Sequence, residues 1–319
     1  MPGAFAHMIA ADMAKSALEK QGLIFPAKIL NHFPEWLQSG AVGPDYPYLH
    51  HALTSHDPSD NWADRMHYER SGDVVRVGIR HLHERYAAEH TDDLYLRVLA
   101  WLFGYASHVM LDASIHPVVR SIVGEYAENK MEHRRCEMYM DSYIFRETYG
   151  TDLVNSQWAN YLRHLNTSNG KFDENVVALW DTILREVYPQ EYARNPPQIT
   201  AWHDAYVSKL DKADINALFF RHAMAEAGIF YITSEDIPED AFDMYIMNTA
   251  LPPNNRFNAS TMHYSEVFKL GVNNVAQAWI LMAAAIEGKG DIDIPLIANW
   301  NLDTGTIDPE GKGDATLWV

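Results

Sequence analysis

From Val98 to Phe103 the chain is apolar almost all round a helical wheel, and a helix of that kind has to sit inside a bundle. The same register continues through Gly104-Tyr-Ala-Ser-His108-Val-Met-Leu-Asp112-Ala-Ser-Ile-His116-Pro117. At about 100° per residue, side chains four apart lie almost above one another, so His108, Asp112 and His116 share one face. A lone core histidine is usually satisfied by ordinary hydrogen bonds. A carboxylate buried between two histidines is costly unless it is paired or metal-bound. The following stretch, His133-Arg-Arg-Cys136-Glu137-Met-Tyr-Met-Asp141, stacks His133, Glu137 and Asp141 in the same way. Two helices facing each other across a metal site are the expectation.

The rest of the chain reads as helices around that centre. Residues 5–20 are amphipathic, with His7 in the first turn, and a short helix is expected from Ala27 to Leu37 before Gly40. Between Ser39 and Arg65 the periodicity fails and turn formers take over, among them Gly40, Gly43, Pro44, Pro47 and Pro58. A loop of that length in a compact domain is often functional. This one carries Asp45, His50, His51, His56, Trp62 and, just beyond it, His67. With 16 histidines in the chain, His50, His51 and His56 read as ordinary loop residues, and His32 as a surface one. Asp92-Asp93 open the central helix. Amphipathic segments are expected over 152–165, 173–188, 199–210, 212–228, 238–250 and 260–288. No convincing alternating strand appears. The pattern predicts an all-α, multi-helix bundle: one helical catalytic domain over residues 1–290, metal ligands within 1–150, and an irregular tail from 291 to 319 wrapped on the surface.

Imidazole and carboxylate donors without thiolates favour a zinc site with open positions. A di-iron bundle would want paired Glu-x-x-His motifs, which do not occur at these positions. The single cysteine, Cys136, excludes an intrachain disulfide and reads as a small apolar residue. The formal charge of -18 argues against a polyanionic partner, so no nucleic acid is expected. Bound zinc would return positive charge where a phosphate must sit. The N-terminus lacks a basic n-region followed by an apolar run, and Ala278–Ile286 is too short to span a bilayer. The expectation is a soluble protein, cytoplasmic or exported without a cleavable leader.

Several motifs occur in order: Gly-Ala-Phe-Ala-His7, Gly-Ala-Val-Gly-Pro-Asp45, His67-Tyr, the His108-x3-Asp112-x3-His116-Pro helix, and His133-x3-Glu137. Together they resemble the zinc-dependent phospholipase C family, whose architecture is shared with single-strand-specific zinc nucleases. The resemblance covers residues 1 to about 150 and implies three zinc ions. It implies one zinc on Asp45, His67, His108 and Asp112, a second shared by Asp112 with His7 and the N-terminal backbone, and a third on His116, His133 and Glu137. Ligation by the terminal amine would require Pro2 to be exposed by loss of Met1. Asp141 is left as an outer carboxylate or a solvent-facing one.

The implied activity is phosphodiester hydrolysis, first as a phospholipase C releasing diacylglycerol and a phosphorylated head group, with Asp45 orienting or deprotonating the attacking water. The partner is then a phospholipid or other phosphodiester, met at most through transient membrane-surface contact. The alternatives are a single-strand nuclease on the same metals and a non-catalytic, metal-stabilised helical effector module. Tyr46, Tyr48, Trp62 and Tyr68 either pack substrate or anchor the loop. Unlike the membrane-active members of that family, this sequence is expected to carry no C-terminal β-sandwich for docking to lipid.

Overall fold

The computed structural model describes residues 3–48, 50, 61–153, 167–168, 171–212, 231–308 and 310–319. Its axis is helix α6, Asp93–Val123. The Asp92 carboxylate opens it by accepting the Leu94 N–H at 2.8 Å, and Gly124 closes it with φ of +85°. Every residue from Val98 to Val119 is buried. By length and mean hydropathy (1.3) α6 meets the requirement for crossing a bilayer, a property the sequence reading did not give it. That apolar window is wholly buried inside the protein, as befits the core helix of a bundle.

Around α6 pack α1 (Ala4–Lys20), α3 (Pro34–Val42), α5 (Ser71–Glu89), α7 (Tyr126–Tyr149), α8 (Glu174–Val187) and the long α12 (Tyr264–Ile286). Shorter helices fill between them: α2 (Ile24–His32), α4 (Trp62–Tyr68), α9 (Pro189–Arg194), α10 (Ile199–Lys212) and α11 (Glu239–Phe242), the last running into a π-turn over Asp243–Met247. Extended structure among the described residues is two antiparallel pairs, Thr167–Ser168 with Lys171–Phe172 and Thr249–Ala250 with Thr261–Met262, and an isolated bridge between Asn301 and Thr306. The all-α expectation holds. The segments expected over 154–165 and 213–228 lie outside the described residues.

Two expectations are corrected. The helix predicted from Ala27 to Leu37 is two helices, because Pro34 starts α3 at a position that needs no N–H donor. Among its described residues, the loop predicted from Ser39 to Arg65 is largely helical: α3 runs to Val42, a 3₁₀ turn follows over Gly43–Asp45, and α4 begins at Trp62, capped by the Asn61 side chain. Gly40 is there for close approach rather than for a turn. A Cβ at Gly40 would lie 2.0 Å from the Trp101 carbonyl oxygen, and one at Gly104 would lie 2.0 Å from the Leu37 carbonyl oxygen. The two glycines let α3 and α6 cross backbone against backbone.

The segment from 291 onward forms no helix among its described residues, yet it buries Ile294, Ile297, Trp300, Leu302 and Trp318. Its docking point is made by Pro117, which has no N–H to offer the Ala113 carbonyl one turn back. Gly305, at φ of +65°, lies against that carbonyl and the proline ring, where a Cβ would sit 2.6 Å from each. Trp318 donates its indole N–H to the Ser114 carbonyl at 2.7 Å.

Candidate metal centre

Three backbone carbonyls decide how the central histidines present themselves. His67 Nδ1 lies 2.7 Å from the Ala63 carbonyl, His108 Nδ1 2.9 Å from that of Ala41, and His116 Nδ1 2.6 Å from that of Leu302. A carbonyl only accepts, so each Nδ1 carries a proton and each ring turns its Nε2 inward. Those nitrogens face further acceptors. His67 Nε2 is 3.1 Å from His108 Nε2 and 3.3 Å from Asp45 Oδ1. His108 Nε2 is 3.1 Å from Asp112 Oδ2 and 3.8 Å from Asp45 Oδ1, and His67 Nε2 is 3.7 Å from Asp112 Oδ2.

Four donors on a tetrahedral zinc would stand about 3.3–3.6 Å apart, given metal–ligand bonds of about 2.0–2.2 Å. The separations observed, 3.1 to 3.8 Å, straddle that edge length. The other oxygen of Asp112, Oδ1, is 3.2 Å from His7 Nε2, so this carboxylate reaches two donor groups with different atoms. A third group lies beyond it. His133 Nε2 is 2.9 Å and His116 Nε2 3.5 Å from Glu137 Oε1.

The eight residues singled out in the sequence thus form three sets that could hold a metal: Asp45, His67 and His108; His7, His108 and Asp112; His116, His133 and Glu137. All eight are buried. Asp45 Oδ1, both Asp112 oxygens, His116 Nε2 and both ring nitrogens of His7 have no hydrogen bond despite their burial. Orphaned acceptors crowded this closely fit a divalent cation between them. Met1, Pro2, His51 and His56 lie outside the described residues, so terminal-amine ligation has no geometry here.

The electrostatics follow from the crowding. Burial, then the neighbouring His108, pushes His7 down to about 4 against the pull of Asp112. Burial also works against charging His108, but Asp112 and Asp45 outweigh it and lift the imidazole to about 9. Asp112 is held well below the usual carboxylate range, because His108, His116 and His7 overcome its burial. Asp45 is lowered despite burial by His108 and His67.

The surroundings sort the remaining candidates. Tyr46 is fully buried and shares a hydrogen bond of 3.0 Å with the Ser39 hydroxyl, while Trp62 is buried and donates to the Asn195 carbonyl at 2.9 Å. Both anchor the fold. Tyr48 and Tyr68 are only partly buried, and their rings lie 5.4 and 6.5 Å from the His67 ring. Cys136 belongs to none of the three sets; it contacts Met140 Sδ, and burial pushes its thiol up. His81 pairs with Glu186 and His83 with the Ile286 carbonyl, and His32 is exposed. Asp141 is wholly buried, which corrects the solvent-facing alternative. Its carboxylate turns to the backbone of α1. Sequence reasoning missed the carbonyls of Ala41, Ala63 and Leu302, since a main-chain acceptor leaves no mark on residue identity.

The family model for zinc-dependent phospholipase C matches residues 6–189 of the chain. No curated protein and no solved structure matches the chain.

Proposed function

The chain belongs to the zinc-dependent phospholipase C family, a family of zinc hydrolases, and on that premise we propose that it is itself a phospholipase C. It would cleave a glycerophospholipid between glycerol and phosphate, releasing diacylglycerol and a phosphorylated head group. The observation that carries the reading is the convergence of imidazole nitrogens and carboxylate oxygens, 3.1 to 3.8 Å apart, among them Asp45 Oδ1 and both Asp112 oxygens, which are buried without a hydrogen bond. Three zinc ions account for all of them. Asp45, His67, His108 and Asp112 Oδ2 would hold one; Asp112 Oδ1 and His7 a second; His116, His133 and Glu137 the third. Bound there, zinc supplies Lewis acidity toward phosphoryl oxygens and an acidified water at neutral pH.

The protein's own groups set the rest. The Ala63, Ala41 and Leu302 carbonyls lock three histidines in the tautomer that presents Nε2. Asp45 sits on the short turn after α3, 9% exposed, and is held ionised at neutral pH. It is the proposed general base, accepting the proton of the attacking water as that water approaches phosphorus in line. Tyr48 and Tyr68, beside His67 and only partly buried, are placed to contact the substrate on that side. A net charge of -18 supports a small phosphodiester over a long polyanion.

A substrate panel on zinc-loaded protein tests this: phosphatidylcholine, phosphatidylethanolamine, a soluble phosphocholine ester and single-stranded DNA. The expected result is diacylglycerol release that a chelator abolishes and zinc restores. Cleavage of the DNA with no lipid turnover would move the assignment to the nucleases.

A further inference from the structure

Asp141 lies on α7 one turn beyond Glu137 and belongs to none of the three donor sets. It is fully buried. Its Oδ1 accepts the Ala6 N–H at 3.0 Å, and its Oδ2 accepts the Phe5 N–H at 3.3 Å and the Tyr231 hydroxyl at 2.9 Å. These amides belong to the first turn of α1, where backbone N–H groups lack the carbonyl four residues back; the Ala6 N–H also reaches the Gly3 carbonyl at 3.0 Å, and the Asp141 oxygens supply the remaining acceptors. Gly3, the residue before α1, offers no side-chain cap. A carboxyl group from a different helix therefore does the work of an N-cap, its oxygens accepting from amides at the positive end of the α1 dipole. The chain can pass over it only as glycine, because a Cβ at Gly3 would fall 1.9 Å from Asp141 Oδ2. The Phe5 ring closes the arrangement, edge-on to Tyr231 at 5.0 Å and to Phe145 at 6.2 Å.

His7 follows Ala6 directly, and its Nε2 points at Asp112 Oδ1 3.2 Å away. Helix α7 thus carries His133 and Glu137 of one donor set and, one turn on, the group that fixes where α1 begins. The geometry points to Asp141 as a positioning residue of the metal centre: it clamps the first turn of α1 to α7 and so sets His7 against Asp112. This rests on the reading of His7 and Asp112 as zinc ligands.

Two measurements on Asp141→Ala, Asp141→Asn and Tyr231→Phe test it. Residue-resolved amide exchange of the metal-free protein follows Phe5 and Ala6. Chelator competition gives zinc affinities, and cadmium NMR of the substituted protein identifies which site is affected. In Asp141→Ala both amides should exchange at least about tenfold faster, and the His7–Asp112 site should weaken about 10- to 100-fold, as other outer partners of ligands do. The His116, His133 and Glu137 site should keep its affinity. Asp141→Asn should restore most of the loss, since its Oδ1 can hold Ala6 and its amide can donate to the Tyr231 oxygen, giving up only the longer bond to Phe5. If Asp141→Ala does not fold, Tyr231→Phe carries the test, with a smaller loss confined to the same site. Unchanged zinc affinity at that site, or equal weakening of every site in a folded variant, overturns the proposal. A wild-type protein in which His7 and Asp112 bind no metal refutes the ligand assignment instead, whatever the exchange rates show.

Discussion

Replacing Gly104 by alanine asks how tightly the first donor set depends on one helix crossing. The new Cβ would lie 2.0 Å from the Leu37 carbonyl oxygen and 2.8 Å from the Ala41 nitrogen, whereas real Cβ contacts are essentially never under 3.0 Å. Both neighbours are main-chain atoms, so neither can swing aside, and α3 must move from α6 by at least about 1 Å. At that crossing the Ala41 carbonyl accepts His108 Nδ1 at 2.9 Å, and a shift of that size breaks the bond. Overpacking costs about 1–3 kcal/mol, and the stranded polar pair about 1–3 kcal/mol more. Alanine returns about 1 kcal/mol of helix propensity. The net is roughly 3 kcal/mol. For a chain of 319 residues with an unfolding entropy of about 2.1 cal/mol/K per residue, Tm should fall by roughly 4–5 °C. Calorimetry on metal-free protein measures this, with Gly271→Ala as comparator. At Gly271 the nearest atom to the new methyl is the end of the Leu111 side chain at 2.9 Å, so Tm should move far less. In zinc-loaded Gly104→Ala, the Asp45, His67 and His108 set should yield its metal to chelator first, while the His116, His133 and Glu137 set holds. A Gly104→Ala protein with unchanged Tm and full zinc content would refute the reasoning.

In the metal-free protein His108 is raised from 6.5 to about 9, so its contribution to stability is full below 6.5 and is lost as the pH rises through 9. Melting in chelator should therefore occur at lower temperature at alkaline pH than near pH 6.5. Zinc uptake at pH 7 should release at least one proton, read by titration calorimetry in buffers of different ionisation enthalpy, and uptake without release would contradict the assignment. Asp112→Ala should empty two zinc positions at once, because its two oxygens reach different donor sets. Asp45→Asn should keep most of the metal and lose about 10²–10⁴ in turnover; metal analysis and rate assays separate the two, and full activity in either variant sinks the scheme.

The helical architecture and five of the eight candidate donors, His108, Asp112, His116, His133 and Glu137, were legible from periodicity, since an all-round apolar stretch forces burial and spacing by four forces a shared face. His7, Asp45 and His67 lie on no such stripe and came only from the family resemblance. Glycine misled where it served packing instead of turning. Gly40 reads as a loop former until Gly104 is seen opposite it, a long-range pairing that a local window cannot carry. Asp141 continued the stripe of His133 and Glu137 in the sequence, but its partners, the amides of Phe5 and Ala6, are 136 and 135 residues away. Nothing near Asp141 announces them.

The orienting groups are a separate layer from the ligands, and that layer reaches the far end of the chain. The last donor residue is Glu137 and the family match ends at residue 189, yet the Leu302 main chain touches two of the ligand histidines. Its N–H donates to the His67 carbonyl at 2.8 Å, and its carbonyl takes His116 Nδ1 at 2.6 Å. Those histidines belong to different donor sets, so one residue of the tail ties the first set to the third. Leu302 is held in turn by its neighbours: the Trp300 carbonyl accepts the Ser71 hydroxyl at 2.8 Å, and Gly305 rests on the carbonyl that Pro117 leaves open. The proline that follows His116 therefore does more than interrupt a hydrogen-bond ladder. It creates the docking point for the segment that sets the His116 tautomer. Because docking favours the metal-ready form of His116, metal on that residue must favour docking by the same free energy. The segment around Leu302 is, in that sense, part of the candidate metal centre.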